Sequence, residues 1–148
     1  MKRVCITSAL LFTLGGFGIA HADDSDIPDL RGLWVSLNME CHHPFAETDE
    51  MVFELHITQQ EGRFLRGIKS WAHEGEAVMD AGGELVTEAE EIVVGVIRGD
   101  NVTVHFVEHD DLGQHFMLLL DENRLEDVYA ESGLAAAICI QHLVREVP

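Results

Sequence analysis

The chain has 148 residues, 47% of them hydrophobic and 24% charged. That suits one globular domain and is too apolar for a disordered chain. Against 27 Asp+Glu stand only 9 Lys+Arg, a formal charge of −18, so a nucleic-acid backbone or an anionic membrane surface is excluded as partner, because both require clustered Lys and Arg.

Residues 1–22 have the make-up of an export signal. Lys2 and Arg3 are basic, Val4 to Ile19 are apolar and broken by glycine, and Ala20-His21-Ala22 offers an A-x-A cleavage site before acidic Asp23-Asp24. The apolar run falls short of the about 20 residues a membrane span needs. The expected product is a periplasmic or secreted chain without stable membrane insertion, with an irregular lead-in at 23–29 and one domain over 30–148. Cys5 leaves with the signal. Cys41 and Cys139 remain, and in an oxidising compartment two cysteines in a small domain make one disulfide. Closing so long a loop stabilises by about 4 to 5 kcal/mol in the chain-entropy model.

From residue 30 onward, short apolar segments alternate with turn signals. Leu30 to Cys41 is the first. Met51 to Gln59 alternates Met51, Phe53, Leu55 and Ile57 with more polar residues, the period of a half-buried strand. After the Glu61-Gly62-Arg63 turn, Phe64 to Trp71 is the third. Residues 72–87 are less regular, with a turn at Gly82-Gly83. Further strands are expected at Glu91–Arg98, Val102–Glu108, His115–Leu120, Leu125–Glu131 and Ala135–Val144, separated by Gly99-Asp100-Asn101, Asp110–Gly113 and Asp121-Glu122-Asn123. Glu84–Glu91 has helix-forming composition, and Leu125, Val128 and Tyr129 also fit helical spacing. Eight strands with tight turns predict an all-β, eight-stranded antiparallel up-and-down barrel, whose closure removes exposed edges.

Gly32-x-Trp34 opens the first strand and Arg145 closes the last. With eight strands between them, the chain resembles the calycins, the lipocalin and avidin-like barrels. The resemblance implies that Trp34 caps the closed end and that Arg145 packs across it, a role suited to a planar guanidinium. The biotin-contacting pattern of avidins is not recognisable, so biotin binding is not carried over. If Cys41 lies opposite Cys139 on neighbouring strands, paired positions sum to 180 and Trp34 falls opposite position 146, beside Arg145. The parity fails, however. Trp34 and Cys41 are seven apart and would face opposite sides, so a bulge, or an arginine reaching around the barrel end, is required.

Chemistry-bearing residues divide into three groups. With Trp34 inward, Ser36 and Asn38 are expected to point inward as well. Phe53, Leu55, Phe106 and Tyr129 would line the same space, giving a mostly apolar cavity with a few polar groups, the make-up of a small-molecule site. The nine histidines offer a second possibility: His42 and His43 follow Cys41, and His105 and His115 could face each other across a hairpin and hold zinc or copper. The third is an acidic surface engaging a basic partner. No nucleophile elbow, P-loop or dinucleotide fingerprint is present, and no cofactor is implied. The leading expectation is a non-enzymatic binding module for a small, partly apolar ligand.

Overall fold

The computed structural model describes residues 26–42, 51–73, 78–79, 85–109, 112–133 and 136–146. Ten elements are formed among them, all strands: β1 (Gly32–His42), β2 (Met51–Glu61), β3 (Phe64–His73), β4 (Val78–Met79), β5 (Leu85–Val86), β6 (Glu88–Ile97), β7 (Thr103–Glu108), β8 (Gln114–Asp121), β9 (Arg124–Glu131) and β10 (Ala137–Arg145). Eight close into an antiparallel barrel in the order β1-β10-β9-β8-β7-β6-β3-β2, while β4 and β5 form a separate two-stranded sheet. Residues 1–22, with the expected export signal, and the Gly82-Gly83 turn lie outside the described residues. No helix among the described residues is long and apolar enough to cross a membrane.

The described residues of both segments with helical character are strand or bend, not helix. The Leu125 to Tyr129 stretch is β9, and β6 begins at Glu88. In β9 the two-residue period decides: Leu125 and Asp127 are buried while Arg124 is exposed, and the ladders to β8 and β10 occupy both edges. Turns are local. Asp100 accepts from the Val102 and Thr103 amides at 3.1 and 2.9 Å and from Thr103 Oγ1 at 2.6 Å, and Asn101 takes φ 61°, a left-handed conformation that asparagine tolerates.

The β1–β10 seam closes the barrel. Cys41 pairs with Cys139 and is disulfide-bonded to it. Trp34 pairs with Arg145. The two registers sum to 180 and 179, and a bulge between Ser36 and Asn38 absorbs the extra residue. Leu37 is thrown outward, 67% exposed. Beyond it the inward face of β1 passes to Met39 and Cys41. The bulge corrects one expectation: Asn38 lies on the outer surface, with Oδ1 3.3 Å from His142 Nδ1, and only Ser36 keeps the parity of Trp34.

The lower end of the barrel is packed solid. Trp34 is completely buried and donates from Nε1 to the Leu30 carbonyl at 2.9 Å. The Arg145 guanidinium sits 4.6 Å from the Trp34 ring and donates to the Asp29 carbonyl at 2.6 Å. Gln60 ties the incoming segment down through the Leu30 amide and the Pro28 carbonyl. Leu55, Ile57, Leu65, Ile97, Phe106 and Leu143 belong to the same buried apolar cluster.

Candidate functional site

Above that apolar floor the inward residues change character. Strand alternation carries Lys69 (β3), Glu91 (β6), Glu108 (β7), His115 (β8), Asp127 (β9) and Gln141 (β10) to the inner face, each in step with an apolar residue two positions away. Register makes neighbours of them: Lys69 opposes Glu91, His115 opposes Tyr129, and Asp127 opposes Gln141. Lys69, Glu108, His115, Asp127 and Gln141 are buried, and the Glu91 side chain is 14% exposed.

Two linked ion groups result. The Lys69 ammonium contacts Glu108 Oε1 and lies 2.5 Å from Glu91 Oε2. It also lies 4.8 Å from the Tyr129 ring centroid. His115 Nδ1 is 2.8 Å from Asp127 Oδ2, and its Nε2 is 3.5 Å from Glu108 Oε1. Gln141 Nε2 donates to the same Asp127 oxygen at 2.8 Å. The His115 ring packs between Phe53 and Tyr129, at 5.4 and 4.8 Å. Toward the upper end, Trp71, Tyr129 and Glu131 are only half-buried, and Tyr129 OH donates to Glu131 Oε2 at 2.7 Å.

Protonation follows from this wiring. Burial pushes the Glu108 carboxyl up, but the neighbouring His115 and the Lys69 charge outweigh it and hold it at about 2. Burial raises Glu91, and the neighbouring Glu108 charge adds to it while Lys69 opposes it. His115 would be lowered by burial, yet the Asp127 charge and hydrogen bond raise it above the ordinary histidine value, which favours the imidazolium. Burial, together with the Glu108 charge, raises the Tyr129 phenol.

Hydrogen bonding in the layer is incomplete. His115 Nε2 is buried without a hydrogen-bond partner among the described residues, and so are three oxygens, Glu108 Oε2, Asp127 Oδ1 and Gln141 Oε1. Buried polar atoms in folded proteins are nearly always satisfied, by protein, water or ligand, so these three oxygens are open hydrogen-bonding positions of the layer.

The expected site residues separate accordingly. Phe53 and Tyr129 meet at His115, within the layer. Leu55 and Phe106 belong to the apolar core. Ser36 is half-buried, its hydroxyl donating to the Asn38 carbonyl at 3.1 Å, and Asn38 is outside. The histidines do not converge. His105 opposes Phe116 and stacks on it at 4.5 Å outside the barrel, whereas Phe106 opposes His115 inside, so the pair is separated by the sheet. His42 is exposed and His43 lies outside the described residues. Among the described residues no three His, Cys, Asp or Glu side chains are grouped to hold a metal ion. Lys69, Glu108, Asp127 and Gln141 were absent from the sequence-based candidates. The signal was there: Glu108 follows Phe106 by two, Asp127 lies midway between Leu125 and Tyr129, and Gln141 follows Cys139 by two.

A recess of about 510 Å³ lies along β2, β3 and β6, lined by Trp71 and Ala89 together with Val52, Glu54, Glu88 and Glu90 among others.

No protein-family model matches the chain, and no curated protein matches it in sequence. Among solved structures it is similar to the S-type phycobiliprotein lyase CPES from Guillardia theta, with 12% identity over 84% of this chain and 91% of that one and a TM-score of 0.47. At that level nothing of the lyase's activity is carried to this chain.

Proposed function

We propose that this chain is an exported, calycin-like, non-enzymatic binding module that holds a small, partly apolar ligand in the upper half of its barrel. The observation that carries the reading is the buried polar layer with three unpartnered oxygens, set on a sealed apolar floor and beneath half-buried Trp71 and Tyr129. Apolar walls with a few oriented polar groups are how small-molecule sites are built. Phe53 and Tyr129 are the walls, and Leu55 and Phe106 support them from below. Ser36 stands at the bulge, and Asn38 has no contact with the ligand. The disulfide fits an oxidising compartment.

The test uses the neutral fluorophore N-phenyl-1-naphthylamine. Saturable one-to-one binding, weakened by Tyr129→Ala, supports the reading. Absence of binding, together with a ligand-free mass on native mass spectrometry of gently purified protein, would leave a filled barrel. A second reading rests on the outer recess, whose Glu54, Glu88 and Glu90 would engage a basic protein partner. Such binding weakens steeply with salt, whereas interior binding does not.

A further inference from the structure

Resting on that reading, we infer that the ligand is a small organic cation, an ammonium or amidinium group on an apolar body, seated with its N–H donors on the unpartnered oxygens of Glu108, Asp127 and Gln141.

Donors and acceptors in the layer do not balance. Lys69 is engaged by Glu91 and Glu108, the His115 Nδ1 by Asp127, and the Gln141 amide by Asp127. Against one unmatched nitrogen, His115 Nε2, stand three unmatched oxygens, one each on Glu108, Asp127 and Gln141. These oxygens accept; none donates in its ionised or amide form. Their side chains are at most 1% exposed, so bulk water does not serve them. The complement is a ligand rich in N–H groups.

Charge points the same way. Three carboxylates (Glu91, Glu108, Asp127) face two cations (Lys69, His115), and Glu131 stands just above. A carboxylate ligand would be repelled by this set, while a cation would neutralise it. The half-buried rings of Tyr129 and Trp71 on the way in suit a cation with an apolar body. The glycine at position 113 fits the same design: a Cβ there would collide with the Glu108 carboxylate, so any side chain would displace one of the three acceptors. Without ligand, burial beside Glu108 raises the Glu91 carboxyl above its ordinary value. A bound cation beside it opposes that rise. Binding therefore releases protons and tightens as pH rises through the Glu91 transition, with Lys69, Glu108, His115, Asp127, Tyr129 and Glu131 as the other charged or titratable groups around it.

The experiment compares three ligands with one apolar body on the full-length protein: 3-phenylpropylammonium, 3-phenylpropan-1-ol and 3-phenylpropanoate, by calorimetry and by displacement of the naphthylamine. The ammonium should bind at least about tenfold more tightly than either twin. Glu91→Gln should reduce the ratio of ammonium to alcohol affinity severalfold. Glu131→Gln, at the half-buried rim, serves the same purpose if Glu91→Gln does not fold. An alcohol or carboxylate that binds as well as the ammonium overturns the inference yet leaves the barrel a binding module. So does binding of the naphthylamine alone. No binding of any of the four overturns both.

Discussion

Opening the Cys41–Cys139 bridge should cost this barrel about 4.7 kcal/mol. The bridge spans 98 residues, and the chain-entropy relation gives that figure for a loop of roughly this length at 25 °C. The effect acts on the unfolded chain. In the folded barrel the two residues are already held opposite each other by the β1–β10 ladder, with Cα atoms 4.0 Å apart. For a domain of this size the loss corresponds to a fall in Tm on the order of 15–20 °C. The assay is urea unfolding of oxidised protein, reduced protein and the Cys41→Ala/Cys139→Ala variant, followed by far-UV circular dichroism. Reduced wild-type protein isolates the loop effect because both sulfurs stay in the core. The double variant should be slightly less stable still, since both cysteines are nearly buried. The denaturant slope should rise on reduction as the unfolded ensemble expands. A reduced protein within about 1 kcal/mol of the oxidised one would refute the reasoning, because the seam would then be held together in the unfolded state without the bridge.

The buried layer sets a pH optimum. Glu108, held at about 2, contributes stability that is complete above its ordinary 4.5 and is lost as pH falls toward 2. His115, raised above 6.5, contributes stability that is complete below 6.5 and is lost as pH rises through its folded value, and raised Glu91 also loses with rising pH, from 4.5 upward. Denaturant midpoints should therefore peak between about pH 4.5 and 6.5, with the alkaline decline flattened by His115→Gln; stability climbing steadily to pH 8 would contradict this. Gly95→Ala should cost about 1–3 kcal/mol in urea unfolding, because its Cβ would overlap the Phe106 ring in the core, and an unchanged midpoint would count against the packing described. Arg145→Met should cost about 1–2 kcal/mol, from the lost Trp34 stacking and the lost bond to the Asp29 carbonyl, and should raise the access of a neutral quencher to Trp34.

Much of the barrel was legible because β-strands write their burial in a two-residue period. Phe53, Leu55 and Ile57 alternate cleanly with exposed or half-buried neighbours, and all three are core. The seam was nearly legible too. Its two anchors demanded different parities, and the conflict itself called for a bulge; the bulge falls between Ser36 and Asn38. The location of that bulge was not readable, since no glycine marks it, and Asn38 was consequently assigned to the wrong face. The polar layer was missed for another reason. Lys69, Glu108 and Asp127 look like surface residues, because isolated buried charges are costly. Only their three-dimensional pairing, Lys69 with Glu91 and Glu108, and Asp127 with His115, makes their burial tolerable. Partners 12 to 39 positions away along the chain leave no trace in a local pattern. Position His115 shows how register decides chemistry. A shift of one residue in the β7–β8 pairing would place it beside His105, whereas the observed pairing opposes it to Phe106 and sends the two imidazoles to opposite faces.

The central claim is that ligand binds inside the barrel, above the Trp34 floor and against the polar layer. The most direct measurement is a two-dimensional amide NMR titration with N-phenyl-1-naphthylamine. The account predicts saturable shifts at Lys69, Glu91, His115, Asp127, Tyr129 and Gln141, with Ile138 and Ile140 on the outer face unmoved. Shifts confined to Val52, Glu54, Glu88 and Glu90 would contradict it and place the binding surface on the outside of the sheet.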